Sequence, residues 1–315
     1  MKHFSNKEYS WPPYEKYLQY FNTPLPVELY VDFIRDFTPS WQRFHESMAH
    51  LDPDPLWKHG APEFTPSYGQ PQPSIGISTH KGPARGLVIV CPGGAFLCKA
   101  DYEGVPVAER FFNEGLNTAV LDYRVKPYEW DISLADAQRA IRYVRKNAER
   151  LNTLPDKIAV LGFSAGGILS ARAGTIFNGG DPSSEDPVEQ ISSRPDAVVI
   201  CYGSMSQAAF PAAVLGYDRS KQQENVPLSP DAMMHVGCPP FFIWQCAGED
   251  DPRCALNLAN RLTIFGIPFE LHIFPHGVHG TALSDGGSPN PNSNDPHVAH
   301  WVELCVEWLK NLEFK

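Results

Sequence analysis

Residues 157–174 read KIAVLGFSAGGILSARAG, and they pass from one kind of secondary structure to another within a few positions. The apolar run Lys157–Leu161 predicts a buried strand, and the small residues of Ala165–Gly174 predict a closely packed helix. Between them, Gly162–Gly166 matches the pattern G-x-S-x-G, which places a serine at the apex of a sharp strand-to-helix turn. We therefore predict Ser164 as a nucleophile, in preference to a serine that only caps the helix.

The same alternation of apolar runs and helical patterns continues along the chain from about Pro73. Several runs are apolar almost throughout, such as LVIVC, AVVIC and FFIWQ, which is typical of parallel strands buried on both faces. The pattern predicts an α/β fold with a doubly wound, mostly parallel sheet. The predicted strands are Ser74–Ser78, Gly86–Cys91, Asn117–Tyr123, Lys157–Leu161, Ala197–Cys201, Pro240–Cys246 and Phe269–Phe274. The predicted helices are Tyr102–Glu114, Asp131–Leu151, Ala165–Phe177, Arg253–Phe265 and Pro296–Leu312.

The first 70 residues differ from the rest, because they are rich in aromatic residues and proline and show no strand alternation. Within them, Leu25–Leu51 contains two stretches with helical spacing, and Pro39 predicts a break between two short helices. We interpret residues 1–70 as an N-terminal helical extension and residues 71–315 as the catalytic domain. A cap over the site, a dimer contact and simple packing on the core edge stay open as roles for the extension.

The amino-acid composition limits the binding partners and the cellular compartment that we expect. The 315 residues carry a formal net charge of −10, which disfavours nucleic acid and anionic membrane surfaces as partners. No run of 18 apolar residues occurs, and the N-terminal stretch has no apolar segment of a secretory signal. Seven cysteines, an odd number without a CxxC pair, favour reduced thiols over disulfides or a thiolate metal site. We therefore expect a cytoplasmic protein.

A glycine-rich loop, Pro92–Phe96, follows the predicted strand Gly86–Cys91. Acyl transfer develops negative charge on a carbonyl oxygen, and fixed backbone N–H groups stabilise that charge. Glycine lets the backbone approach a substrate closely, because no side chain intervenes. We predict an oxyanion hole made of the amides of Gly94, Ala95 and Ala165.

The general base should come from a loop after the last strand. The segment Phe274–Gly280 (FPHGVHG) follows the predicted strand Phe269–Phe274 and contains two histidines. We predict that His279, which precedes a glycine, is the base, and we interpret His276 as a surface residue.

The acid that orients the histidine is expected between the serine and the histidine, after the preceding strand. The segment Gly248–Pro252 (GEDDP) meets this condition with three adjacent carboxylates. Asp251, before the proline, is the predicted acid, and Asp250 is the alternative. The remaining carboxylates would cap the helix that begins near Arg253.

Taken together, these motifs resemble the α/β-hydrolase superfamily, in the branch of acetyl xylan esterase-like and hormone-sensitive-lipase-like carboxylesterases. The segments that carry the resemblance are CPGGAF at 91–96, LDYRV at 121–125, LADAQRAIRYVR at 134–145, LGFSAGG at 161–167, GEDDP at 248–252, FPHGVHG at 274–280 and HVAHWVELCVEWLKNL at 297–312. The resemblance implies an α/β-hydrolase fold, hydrolysis through an acyl-enzyme without metal or organic cofactor, and short acyl groups, often acetyl on sugars. Two departures are Ala95 in place of a third glycine and an acid loop that continues as Pro252–Ala255.

These observations predict a serine carboxylesterase with the triad Ser164, Asp251 and His279. Its substrate would be a small-molecule or oligosaccharide ester, and a homodimer is an open expectation. We expect Phe96 and Phe163 to line the substrate pocket, although a place in the core is equally consistent with either residue. Alternatives are a peptidase or thioesterase using the same triad, or a non-catalytic ligand-binding protein that kept the fold.

Overall fold

The structure is a computed structural model that describes Lys16 and residues 26–203, 229–248 and 250–315. Most of the first 25 residues of the predicted extension lie outside the described residues, and so does Glu249 of the acid loop.

The described strands form one sheet of eight strands in the order β1-β2-β4-β3-β5-β6-β7-β8. Strands β3 to β8 are parallel, whereas β1 and β2 are antiparallel to their neighbours at one edge. The strands are β1 Asp54–Pro55, β2 Ser74–Ser78, β3 Arg85–Cys91, β4 Asn117–Asp122, β5 Thr153–Phe163, β6 Ala197–Cys201, β7 Phe241–Cys246 and β8 Phe269–Phe274. The predicted α/β fold with a mostly parallel sheet is therefore confirmed, and only the two-residue strand β1 was not predicted.

The helices cover both faces of the sheet. The helices after the N-terminal one are α2 Val105–Asn113, α3 Trp130–Lys146, α4 Ala165–Thr175, α5 Arg253–Phe265, α6 Pro296–Ala299 and α7 Trp301–Asn311. On one face α3, α4 and α5 contribute to one apolar core, and on the other face α2, α6 and α7 contribute to a second core. The predicted helix Pro296–Leu312 is thus divided at His300.

Strand β3 shows why the central strands are apolar throughout. Leu87 and Ile89 belong to one core, whereas Val88 and Val90 belong to the other. Successive side chains of a strand point to opposite faces, so a strand covered on both sides needs apolar residues at every position. The carboxyl ends of these strands then carry the loops that hold the predicted site.

The N-terminal helix α1 runs without interruption over Val27–Met48, with Pro39 inside it. The prediction of two short helices is therefore wrong. An internal proline costs about 3 kcal/mol, but each buried aromatic side chain contributes roughly 1.5–3 kcal/mol. The helix buries Phe33, Phe37, Trp41 and Phe44. The free energy gained by burying these side chains therefore exceeds the cost of the proline.

Helix α1 joins both cores. Phe33, Phe37 and Trp41 pack in the core on the α3 side, and Phe44 packs in the core on the α2 side. A role as a cap or a dimer contact stays a prediction, and so does the boundary near residue 70. No helix of the described residues is long and apolar enough to span a bilayer.

We expect Phe37→Ala to lower the free energy of unfolding by about 3–5 kcal/mol, because it leaves a cavity in a core that the sheet also lines. The measurement is urea denaturation of the full chain. Val31→Ala on the same helix is the matched control, because Val31 is 74% exposed. Equal midpoints for the two variants would show that helix α1 does not share the core of the sheet.

Candidate active site

Ser164 stands between strand β5 and helix α4 in a conformation that few residues adopt. Its φ is +50° and its ψ is −117°. Such a backbone is strained by roughly 1–3 kcal/mol and persists only where the surroundings impose it. A Cβ atom at Gly162 would lie 1.9 Å from the carbonyl oxygen of Gly166, and one at Gly166 would lie 2.0 Å from that of Cys91. The two glycines of the motif are therefore required by close backbone contacts.

The structure brings Ser164 and His279 together. The hydroxyl oxygen of Ser164 lies 2.8 Å from Nε2 of His279, and Nδ1 of His279 lies 2.9 Å from Oδ1 of Asp250. The side chain of Asp250 is 9% exposed, and that of His279 is 27% exposed. With its proton on Nδ1, the ring donates to Asp250 and accepts from Ser164, the arrangement in which an imidazole can act as a base.

The acid position is a correction to the sequence analysis, because Asp250 rather than Asp251 contacts His279. The carboxylate of Asp251 accepts hydrogen bonds from the backbone amide of Arg253 at 3.0 Å and from its Nε at 2.9 Å. These bonds place Asp251 at the start of helix α5. The amide of Asp250 donates to the carbonyl of Cys246, and the carbonyl of Asp251 accepts from the Gln245 side chain at 2.7 Å. This turn orients two neighbouring carboxylates differently.

The loop after β3 has an unusual backbone. Gly94, Ala95 and Phe96 all have positive φ, of 129°, 56° and 55°. The carbonyl of Gly94 accepts from the amides of Leu97 and Cys98, which closes the turn on itself. Among the hydrogen bonds of the described residues, none uses the amides of the three predicted oxyanion donors. Oxyanion donors need amides that are not already bonded to the protein, and the role of these three amides stays a prediction.

The buried carboxylate of Asp122 makes two side-chain contacts on the far side of this loop. Lys99, which is 2% exposed, pairs with Asp122 at the end of β4 and donates to the carbonyl of Tyr123 at 2.8 Å. His45 of helix α1 contacts the other oxygen of Asp122 at 2.8 Å. Burial alone would raise the pKa of Asp122, but Lys99 and His45 hold that pKa below its ordinary value. Helix α1 is thus tied to the oxyanion loop through Asp122.

The loop that carries His279 is held by its own side chains. Asn290 donates from its amide to the carbonyl of His279 at 2.6 Å, and Ser288 donates to the carbonyl of Gly280 at 2.6 Å. The indole of Trp301 donates to the carbonyl of Ala282 at 3.0 Å. His276 is exposed in the same loop, at the surface position predicted for it.

Sequence reasoning missed Glu103 and Tyr202. Glu103 is 2% exposed and accepts from the amide of Gly93 at 2.7 Å and from the Tyr202 hydroxyl at 2.7 Å. Burial raises the pKa of Glu103 to about 6, against the opposing effect of those hydrogen bonds and of His279. No motif marks either residue, since Glu103 lies where an amphipathic helix was predicted to begin and Tyr202 follows an apolar strand.

Phe96 and Phe163, for which pocket and core were both left open, are buried in the structure. Phe163 has no exposed surface, and its ring packs against Tyr202 at 5.5 Å and Trp301 at 5.8 Å. Phe96 is 6% exposed and packs against Tyr123 at 6.3 Å. Both belong to the apolar cores, and a part in lining the substrate pocket stays a prediction.

No group of three or more histidine, cysteine or carboxylate side chains in the described part of the chain is arranged to hold a metal ion. The groups that the structure brings together are a serine, an imidazole and a carboxylate beside a loop of backbone amides, and such groups can carry out nucleophilic acyl transfer.

The chain is similar to a known protein family and to a solved structure. Residues 77–263 match the BD-FAE family. The fold is similar to the crystal structure of an acetyl ester-xyloside bifunctional hydrolase from Caldicellulosiruptor lactoaceticus, with a TM-score of 0.74 and 36% sequence identity. The similarity covers 83% of this chain and 96% of that chain. These similarities confirm the predicted resemblance to acetyl xylan esterase-like α/β hydrolases.

Two curated proteins are also similar in sequence to this chain. Endo-1,4-beta-xylanase B of Butyrivibrio fibrisolvens is 29% identical over 79% of this chain and 39% of that protein. The acetylxylan esterase of Xylanibacter ruminicola is 28% identical over 30% of this chain and 20% of that protein. The chain therefore spans less than half the length of these curated relatives.

We expect Asp250→Asn to lower kcat for an aryl acetate by roughly 10³–10⁴-fold, because an amide cannot hold the imidazole in the required tautomer. Asp251→Asn is the matched control, since its carboxylate serves the start of helix α5, and kcat should stay within about threefold. Steady-state rates per mole of folded enzyme decide the matter. The reverse order of effects would return the acid position to Asp251.

Proposed function

The chain belongs to the BD-FAE family, and from this membership and the Ser164 site we propose that it is a serine carboxylic ester hydrolase acting on short-chain, chiefly acetyl, esters. The observation that carries the proposal is the continuous contact from Ser164 through His279 to Asp250, at 2.8 Å and 2.9 Å, on a strained strand-to-helix turn. A serine hydroxyl is a weak nucleophile unless an adjacent base removes its proton. Here His279, the proposed base, contacts Ser164, and Asp250, which would orient the base, contacts His279.

In the first half of the proposed reaction, the Ser164 hydroxyl attacks the ester carbonyl while Nε2 of His279 takes its proton. The carbonyl oxygen becomes negatively charged and accepts hydrogen bonds from the amides of Gly94, Ala95 and Ala165. Loss of one such donor typically costs about 3 kcal/mol of transition-state stabilisation. Asp250 stabilises the imidazolium that forms, and His279 then protonates the alcohol that leaves.

In the second half, water attacks the acyl group on Ser164. His279 removes a proton from that water and returns it to the serine oxygen as the carboxylic acid departs. The same backbone donors hold the second oxyanion. The proposed cycle uses the ester, one water molecule and groups of the chain.

The proposed substrate class is an acetyl ester of a sugar or oligosaccharide hydroxyl. Support comes from two similar proteins, one named as an acetyl ester-xyloside bifunctional hydrolase and one as an acetylxylan esterase.

We also propose that the protein acts in the cytoplasm. All seven cysteines, each within the described residues, are buried, and their odd number without a CxxC pair favours reduced thiols, as in a reducing compartment. The net charge of −10 supports a small or neutral substrate rather than nucleic acid or an anionic membrane. Assembly as a homodimer remains a prediction.

The test is a substrate panel on the wild type and on Ser164→Ala. We expect wild-type turnover of aryl acetates, lower rates on butyryl and longer esters, and release of acetate from acetylated xylo-oligosaccharides. Ser164→Ala should lose at least ~10³-fold of this activity, because it removes the nucleophile but not the oxyanion donors.

A fluorophosphonate probe provides the independent check, with labelling of the wild type and none of Ser164→Ala. Failure to label the folded wild type would favour a ligand-binding protein. Cleavage of peptide anilides with no turnover of acetyl esters would favour the peptidase alternative. Turnover of aryl acetates without release of acetate from the sugar ester would remove the sugar substrate and keep the esterase.

A further inference from the structure

The carboxylate of Glu103 connects two loops that the proposed reaction uses. One oxygen, Oε2, accepts the amide of Gly93 at 2.7 Å, and the other, Oε1, accepts the hydroxyl of Tyr202 at 2.7 Å. Gly93 immediately precedes the proposed oxyanion donors. Because the two oxygens have different partners, the carboxylate fixes the distance between the oxyanion loop and the segment after β6.

Tyr202 extends the connection to the histidine loop. Its hydroxyl donates to Glu103 and accepts the amide of Ala282 at 2.9 Å, three positions after His279. Its ring lies edge-on to the His279 ring, with centroids 5.0 Å apart. Burial, and next the charge of Glu103, raise the pKa of Tyr202 well above its ordinary value, so the hydroxyl keeps the proton that it donates.

Gly93 lies between Glu103 and the nucleophile. A Cβ atom at Gly93 would lie 2.6 Å from Oε2 of Glu103 and 2.9 Å from Cβ of Ser164. No side chain would fit at position 93, so the backbone of this loop lies directly between Glu103 and Ser164. We therefore expect a change in the Glu103 side chain to move the loop relative to Ser164, and a shift of a few tenths of an ångström misaligns oxyanion donors.

The charge of Glu103 carries a second effect. Opposite charges in a buried site favour each other's ionised forms, and His279 is among the groups that lower the pKa of Glu103. The carboxylate in turn favours the imidazolium that forms during catalysis. The other titratable groups that face Glu103 are Asp101, Tyr123, Cys201 and Tyr202.

We infer that Glu103 is a positioning residue, whose buried carboxylate holds the oxyanion loop and the histidine loop in register and supports the charged form of His279. The inference rests on the proposed esterase function. Glu103 does not touch the reacting atoms; it acts through Gly93 and Tyr202.

The experiment compares Glu103→Gln and Glu103→Ala with the wild type, in kcat, KM and the pH dependence of kcat/KM for an aryl acetate. The glutamine has the same shape, and its amide oxygen can still accept from Gly93, but its N–H group cannot accept the Tyr202 proton, so it removes the charge and one of the two accepted hydrogen bonds. We expect Glu103→Gln to lower kcat about fivefold and to move the midpoint of the acidic limb down by roughly half a pH unit, because the imidazolium loses a nearby anion. Glu103→Ala should lower kcat by ~10²-fold with KM within about twofold.

Tyr202→Phe separates the hydrogen bonds from the charge. It removes the hydroxyl's hydrogen bonds to both Glu103 and Ala282 and leaves the carboxylate in the site, so we expect kcat to fall about tenfold. Glu109→Gln is the matched control on the exposed face of helix α2, and it should behave as the wild type.

Rates are expressed per fluorophosphonate-labelled Ser164, so loss of folded enzyme does not count as loss of catalysis. A Glu103→Gln enzyme with wild-type kcat and an unmoved acidic limb overturns the inference, and so does a Tyr202→Phe enzyme with wild-type kcat. If Glu103→Ala does not fold, these two variants still decide. An inactive, unlabelled wild type would instead refute the proposed function, a different outcome.

Discussion

The close approach of backbone segments around Ser164 is the constraint on which the site depends. A Cβ atom at Gly203 would lie 2.4 Å from the carbonyl oxygen of Ser164, and one at Gly162 would lie 1.9 Å from the carbonyl oxygen of Gly166. With side chains excluded there, strand β5, helix α4 and the segment after β6 meet at van der Waals distance. The contacts hold Ser164 in a left-handed conformation that an unconstrained chain would leave. The hydroxyl is thereby presented at the carboxyl edge of the sheet.

The parallel sheet then brings the other groups to the same edge. The oxyanion loop follows β3, the carboxylate follows β7 and the histidine follows β8, so residues far apart in sequence become neighbours. Buried polar contacts set their mutual positions: Glu103 and Tyr202 on one side, and Lys99 with Asp122 and His45 on the other. Helix α1 belongs to this framework, since His45 reaches Asp122 and Phe44 enters the core.

Much of the fold and the position of Ser164 could be predicted from the sequence. The pattern of apolar residues indicates which strands are buried, and the motif Gly162–Gly166 indicates a sharp turn. The rest depends on geometry that residue types do not encode. Asp250 and Asp251 are the same residue type at adjacent positions, and only the direction of the turn after β7 assigns one to His279 and the other to Arg253. Local propensity predicts a break in the helix at Pro39. The helix continues because it buries four aromatic side chains, which local propensity does not take into account. Glu103 has no local signature, since its role follows from three loops that meet only in the fold.

The central claim is that Ser164 carries the acyl group during turnover. The most direct measurement is rapid acid quenching during the reaction with an aryl acetate, followed by mass spectrometry of the digested protein. A good leaving group makes acylation fast, so the acyl-enzyme accumulates and one acetyl group should appear on the peptide that contains Ser164, in step with a burst of released phenol. Turnover with no acetyl group on that peptide, or with the group on another residue, would contradict the account.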